Sequence, residues 1–307
     1  MGFDNIIGQE KIKRRLEFFL EGQAKSRISP HILFSAPRGS GKTLIAETYG
    51  KALINSDGNN RRCLTVNCST IKNLKKFINE LIVPAVVGKE ISILFDEASE
   101  IPDDVTMALL TILNPNQNNR NSFFYDDFSI DFDFRNVTFL FATTEPHKIK
   151  PPLIDRLERV DLEPYSTDNL STIVQKNISE PIGADVLLQI SKVLRGNARK
   201  ATQMANHIRS YLSSKNKNCF DNDDWKELCL RMGINPLGLS PMEIRVLQCL
   251  SERSETTLTN LSAKTQMTRQ SLQKDIEIYL QKVNLIEIVP TGRKLTPAGR
   301  QYLESLK

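Results

Sequence analysis

The sequence predicts an α/β protein: a parallel sheet covered by helices, then a small all-helical unit, then a terminal unit of three helices and a β-hairpin. Three observations carry this. Short apolar runs at 31–35, 63–68, 91–95, 137–143 and 159–162 alternate with stretches of helical character, the pattern of strands buried on both faces of a parallel sheet. Strand signals stop near Ser166, and segments 167–177, 183–194, 197–212 and 222–232 carry helical periodicity. After the turn-forming Asn235–Pro236–Leu237–Gly238, helices are expected at 241–251, 258–264 and 271–282. A strand at 285–289, a Pro–Thr–Gly turn and a last helix from Pro297 follow, which is the order of a winged helix. The expected domains are 1–165, 166–234 and 235–307, with a β-hairpin inserted in the first at about 114–136.

Whole-chain properties fit this division. A chain of 307 residues is long for one ordinary core. Its 40% hydrophobic and 25% charged residues are those of a water-soluble protein, and a net charge of +5 permits a nucleic-acid partner without requiring one. Cys63, Cys68, Cys219, Cys229 and Cys249 form no C-x-x-C pair, and His31, His147 and His207 are far apart. A disulfide framework or a metal cluster is therefore not expected, and free thiols in a reducing compartment are. No apolar run approaches the ~18 residues of a membrane span. A cytoplasmic protein without a membrane partner is the expectation.

Taken in order, FDNIIG leads into an amphipathic stretch (Ile12, Leu16, Phe19, Leu20) that ends near Gly22, read as a surface helix packed on the core. Next comes HILFS–APRGSGKT–LIAETY, a strand, a glycine loop and a helix. Gly39 and Gly41 have no Cβ to block the approach of backbone N–H groups to an anion, so Pro37, Arg38, Gly39, Ser40 and Gly41 form a phosphate cradle at a helix N-terminus. Lys42 is expected on the β/γ-phosphates and the Thr43 hydroxyl on Mg²⁺. The first position of that motif is Ala36 instead of glycine. The plainer reading of the loop alone is a glycine turn.

The strand at 91–95 ends in Asp96 and Glu97. Adjacent ionised carboxylates are costly to desolvate unpaired, so Asp96 is expected to hold Mg²⁺ and Glu97 to deprotonate the attacking water; two acids in an ordinary turn is the alternative. The period-two run Phe128, Ile130, Phe132, Phe134 is a strand of the inserted hairpin. Phe123, Phe124 and Tyr125 near its tip are expected to form a partner surface, or to fold back as core. Thr143 or Thr144 at the end of the next strand is placed to bond the γ-phosphate or the water, unless it caps a helix. Arg156 in PPLIDRL is the candidate for a cation inserted into a neighbouring subunit's site, or a surface partner of Asp155 or Glu158. Arg199 in RGNAR could touch the γ-phosphate, or lie on a solvated basic face with Arg195 and Lys200. In the last unit Arg269, Gln270, Gln273 and Lys274 lie on or beside the recognition helix, with Arg293 and Lys294 on the wing. Residues 238–307 hold ten Lys/Arg against seven Asp/Glu, a net of +3. Such a surface can hold DNA phosphates, although many winged helices bind proteins.

FDNIIGQ, APRGSGKT, ILFDEAS, FLFATTEP, PPLIDRL and RGNARKATQMA, followed by a winged helix, resemble the AAA+ ATPases. Within that class nearly the whole chain resembles the RuvB family of Holliday-junction branch-migration motors. The resemblance implies a hexameric ring around DNA and hydrolysis of ATP with Mg²⁺. It implies Lys42 and Thr43 as Walker A, Asp96 and Glu97 as Walker B, and Thr143 as sensor 1. Arg156 would be the arginine finger and Arg199 sensor 2, with Ile6 and Ile7 against the adenine and Arg293 on DNA. In that family the hairpin docks on RuvA, so a RuvA-like or other protein is expected on the hairpin here. Ala36, Ala98–Ser99 after the acids, and a hairpin tip with Phe123, Phe124 and Tyr125 depart from the family pattern. The expected function is an ATP-dependent motor on duplex or branched DNA. The alternative is a clamp-loader-like, nucleotide-gated adaptor that binds DNA and recruits a partner, a branch that ATTEPHKI also resembles.

Overall fold

The structure, a computed structural model, describes residues 2–306. Two compact units divide between Cys219 and Phe220, inside the segment 166–234 expected as one helical domain. The first three of that segment's helices lie before the division and Asn222–Met232 lies after it.

In the first unit β1 (Ile32–Ser35), β2 (Arg62–Asn67) and β3 (Ile91–Asp96) are joined by β6 (Val137–Thr143) and β7 (Glu158–Asp161) in a five-stranded sheet of order β2-β3-β6-β1-β7. All its pairings are parallel. Parallel strands need crossover connections, which put helices on both faces, and β1 and β6 are accordingly buried at every position. The two faces alternate along each strand. Leu33, Ile93, Phe95, Phe139 and Phe141 pack in one core cluster. Ile32, Phe34, Leu94, Leu140 and Ala142 pack in the other, with Ile45, Ala46 and Tyr49 of the helix Lys42–Ala52. Because every strand runs the same way, the segments after Ser35, Asp96 and Thr143 emerge at one edge, where open α/β sheets bind ligands.

The inserted hairpin is β4 (Arg120–Tyr125) and β5 (Phe128–Asp133), antiparallel, with Tyr125 opposite Phe128 across Asp126 and Asp127. Period-two geometry splits the aromatic trio expected as partner surface. Phe123 and Tyr125 pack with Ile130 and Phe132 on the main core, while Phe124 points away and is 72% exposed. Of the three, only Phe124 remains a free surface.

After β7 come helices Thr167–Lys176, Ala184–Val193 and Ala198–Lys215, the first and third capped by Ser166 and Asn197 accepting backbone N–H bonds.

The second unit opens with Asn222–Met232, held by an Asp221–Asp224 capping box, and continues with Pro241–Ser251, held by a Ser240–Glu243 box. Leu258–Thr265 follows, then the consecutive turns Arg269–Ser271, Leu272–Glu277 and Ile278–Lys282, the middle one widened to a π turn. The wing is β8 (Ile286–Val289) and β9 (Gly292–Leu295), and Pro297–Ser305 closes the unit. Val246, Leu247, Leu250, Leu261, Leu272 and Leu280 form its core with Leu285 and Leu295. Among the described residues no helix is long and apolar enough to cross a membrane.

Candidate nucleotide site and nucleic-acid surface

The loop after β1 turns on Gly39 (φ 78°) and Gly41 (φ 80°), both left-handed. The Ser40 hydroxyl donates to Pro37 O at 2.6 Å and closes it. Ala36 donates its N–H to Thr143 O at 3.3 Å, so the residue in place of the motif's first glycine is tied to the neighbouring strand end. Lys42 opens the next helix and is buried to 7% exposure. No ion-pair partner for it exists among the described residues. A cation held in a largely buried side chain without a counter-charge suits an anionic ligand. The residues therefore fit a nucleotide phosphate.

The acids close the other side. Thr43 Oγ1 donates to Asp96 Oδ2 at 3.1 Å, linking the first turn of the helix Lys42–Ala52 to the end of β3. A hydroxyl and a carboxylate brought together are hard oxygen donors of the kind Mg²⁺ takes. Glu97 stands directly after the strand in a left-handed conformation, φ 53° and ψ 51°, with its N–H donating to Asp96 Oδ1 at 3.0 Å. A non-glycine residue there costs about 1–2 kcal/mol, and such strain persists where surroundings over-determine it, commonly at functional sites. The negative field of this corner registers on Cys68. Burial, then the charges of Asp96, Glu97 and Glu100, push its thiol well above the usual range.

Thr143 is fully buried and its hydroxyl accepts the Glu145 N–H at 2.9 Å, closing a local turn at the strand end. Thr144 beside it is partly exposed. Of the segment expected on the adenine, Ile6 is buried in the core cluster of the helix Lys42–Ala52 and Ile7 is half-buried. Gln9 secures the segment by exchanging hydrogen bonds with Glu163, Nε2 to Glu163 O at 2.6 Å and Glu163 N to Oε1 at 3.3 Å.

The helix Ala198–Lys215 reaches the loop. Arg199 donates its backbone N–H to Gly39 O at 3.2 Å, and its side chain is exposed. Asn197 Nδ2 donates to Arg38 O at 3.1 Å. A Cβ on Gly41 would stand 3.3 Å from the Tyr165 hydroxyl. Asn197 and Tyr165 are loop neighbours that the sequence reading passed over. The available signal for Asn197 was its cap position in RGNAR.

Arg156 lies elsewhere. It precedes β7, whose first residue Glu158 pairs with Ile32 at the start of β1, whereas Lys42 follows the end of β1. The four-residue strand separates their levels by on the order of 10 Å. Arg156 Nη1 donates to Pro152 O at 2.6 Å and Nη2 to Asn114 Oδ1 at 3.3 Å, and Nε is buried without a partner. The alternative pairings with Asp155 or Glu158 do not form; Glu158 is bonded to Arg15 instead. Arg156 borders a cavity of about 330 Å³ that Ser29, His31 and Asn116 also line.

In the second unit Arg269, Gln270, Gln273 and Lys274 are exposed, as a phosphate-binding surface needs. Lys294 pairs with Glu287 at 3.2 Å on the outer wing. Arg293, expected on DNA from the wing, is engaged inside its own unit. Its guanidinium forks onto Glu277, Nε to Oε1 at 2.8 Å and Nη2 to Oε2 at 3.1 Å, with the two side chains 13% and 3% exposed. A carboxylate buried on the recognition helix needs a cation, and Arg293 supplies it.

Comparison with known proteins agrees with this geometry. The profile of the ATPase family associated with various cellular activities (AAA) matches residues 32–165, and that of the RuvB C-terminal winged helix domain matches residues 236–304. The Holliday junction branch migration complex subunit RuvB of Ehrlichia canis is 28% identical over 326 residues, covering 98% of this chain and 91% of the relative. That of Campylobacter lari is 25% identical over 316 residues, covering 95% and 86%. Among solved structures, the Thermotoga maritima RuvB Holliday junction branch migration motor superposes with a TM-score of 0.77 at 20% identity, covering 98% of this chain and 96% of that one.

Proposed function

Because this chain is a RuvB-like AAA+ ATPase in both its nucleotide-site core and its winged helix, we propose that it hydrolyses ATP in a ring of its own copies, six by resemblance, and so moves duplex or branched DNA. In this reading Lys42 and the loop N–H groups hold the β/γ-phosphates. Thr43 and Asp96 hold Mg²⁺, which when bound neutralises phosphate charge. Glu97 accepts the proton of the attacking water. Arg199 meets the γ-phosphate from the helix Ala198–Lys215, and Thr143 with its partly exposed neighbour Thr144 bounds the site at the β6 end.

The observation that carries the ring is the location of Arg156. A cation at the opposite strand edge from Lys42 cannot serve its own chain's phosphate site, but a second copy can present it. Its withheld state, on Pro152 O and Asn114 with no counter-acid among the described residues, leaves the charge available for a neighbour. Arg269 and Lys274 on the recognition helix and Lys294 on the wing contact DNA phosphates in this reading. Phe124, exposed on the hairpin, faces a protein partner of RuvA-like role. Phe124→Asp should abolish capture of that partner and spare basal ATPase; loss of the basal rate would assign the ring to the core instead.

DNA-dependent ATPase activity tests the function. Four-way junction or duplex DNA should raise the hydrolysis rate, and the stimulation should vanish in an Arg269→Ala, Lys274→Ala double variant with basal rate intact. An ATPase indifferent to DNA would favour the nucleotide-gated adaptor.

A further inference from the structure

The phosphate loop is gripped from outside by the start of the helix Ala198–Lys215. Two successive loop carbonyls are held, Arg38 O by the Asn197 side chain at 3.1 Å and Gly39 O by the Arg199 N–H at 3.2 Å. Asn197 meanwhile keeps its capping bond, Oδ1 accepting from Lys200 N at 3.0 Å. One amide therefore does two things: its oxygen caps the helix and its NH₂ holds the loop. The contact is close. A Cβ on Gly39 would stand 2.2 Å from Asn197 Oδ1, so a side chain here would push Asn197 off the loop, and the left-handed φ of 78° favours glycine besides.

Peptide planarity converts this grip into an orientation. Across a trans peptide the C=O of one residue and the N–H of the next point in opposite directions. Holding Arg38 O toward Asn197 turns the Gly39 N–H away from the helix. We propose that Asn197 is a positioning residue of the phosphate loop, fixing the Arg38–Gly39 peptide so that its N–H faces the nucleotide phosphates. The inference rests on the reading of this loop as a nucleotide site. It adds a residue whose effect is on nucleotide affinity, acting through the loop without touching the nucleotide.

The role needs the amide NH₂ specifically. Serine caps a helix about as well as asparagine, yet has no group that reaches Arg38 O while its oxygen caps. Asn197→Ser in the full-length chain therefore separates the two functions, and Asn197→Ala removes both. Titration with a fluorescent ADP analogue, stopped-flow release of that analogue, and thermal melting are measured for each. Asn197→Ser should melt as wild type does, while ADP binding weakens about three- to tenfold, the worth of one net hydrogen bond, and release accelerates by a similar factor. Its KM for ATP should rise while kcat stays within about twofold. Asn197→Ala should show the same loss of affinity together with a lower melting temperature. Wild-type affinity and release in Asn197→Ser, or a loss that only follows melting temperature, would overturn the assignment. A wild-type chain that binds no nucleotide would instead overturn the site reading, and the inference with it.

Discussion

Thr43 Oγ1 and Asp96 Oδ2 stand 3.1 Å apart, so the first hydroxyl after the phosphate lysine and the acid that ends β3 meet. Each sits where its own element ends: Thr43 in the first turn of a helix, Asp96 as the last residue of a strand. Neighbouring strands β1, β6 and β3 carry them to one edge.

If this pair holds Mg²⁺, the hydroxyl matters more than the side-chain shape. Thr43→Val, isosteric but without the oxygen, should lose ATP hydrolysis by on the order of 10²-fold or more, the scale of losing one stabilising ligand of transition-state charge. Thr43→Ser should keep most of the activity. Steady-state ATPase against Mg²⁺ concentration reads both, and equal activity in Thr43→Val and wild type would remove Thr43 from the metal.

Arg156 and Lys42 at opposite strand edges make a prediction about mixtures. Arg156→Ala alone should bind nucleotide normally and lose about 10³-fold or more in hydrolysis. Lys42→Ala alone should not bind. Mixing the two inactive proteins should restore part of the activity, because a Lys42→Ala subunit still carries the arginine its neighbour lacks. A mixture as inactive as its components would contradict action between subunits.

The buried Arg293–Glu277 fork predicts loss of stability where a wing contact would predict loss of DNA binding. Arg293→Ala leaves a carboxylate buried and unpaired, and should lower the stability of the second unit by about 3 kcal/mol. Arg269→Ala and Lys274→Ala should leave melting unchanged and each reduce the slope of DNA affinity against salt by about one. Melting curves and salt titrations separate the two classes; an Arg293→Ala protein that melts normally would put the arginine back on the DNA surface.

His31 gives the fold a dependence on pH. Its Nδ1 accepts the Phe139 N–H at 3.0 Å, and burial lowers its pKa from 6.5 to about 4. Above 6.5 the imidazole is neutral in both folded and unfolded chain, and its contribution is fully present. As pH falls from 6.5 to 4 the unfolded chain takes up a proton that the folded chain does not, so stability declines, by up to about 3 kcal/mol. His31→Asn keeps an acceptor and cannot titrate, so its stability should fall less steeply over that interval in denaturant melts at successive pH values. Parallel curves for the two proteins would contradict the burial argument.

What the sequence made legible follows from the range of the signals. Strands buried on both faces read as unbroken apolar runs, so β1, β3 and β6 stood out, and the acids at 96–97 were visible because charge at the end of such a run has a cost. Pairings set by tertiary contact were not visible. Arg293 reads in sequence as a basic wing residue, and only the fold brings Glu277 under it. Phe123, Phe124 and Tyr125 form one aromatic cluster in sequence, and the pleat divides them between two faces. Asn197 drew no notice in sequence; its capping bond to Lys200 N is local, but its second bond, to Arg38 O, depends on how the helix meets the loop.

The most direct test of the motor reading is movement of a branch point. A synthetic four-way junction with homologous arms, labelled on one strand, is incubated with the protein and ATP, and the separated duplex products are counted. ATP-dependent products are expected with wild type. With Glu97→Gln, which removes the base but leaves nucleotide binding, none above background is expected. Junction binding without branch movement in the wild type, under conditions where it hydrolyses ATP, would contradict the motor reading.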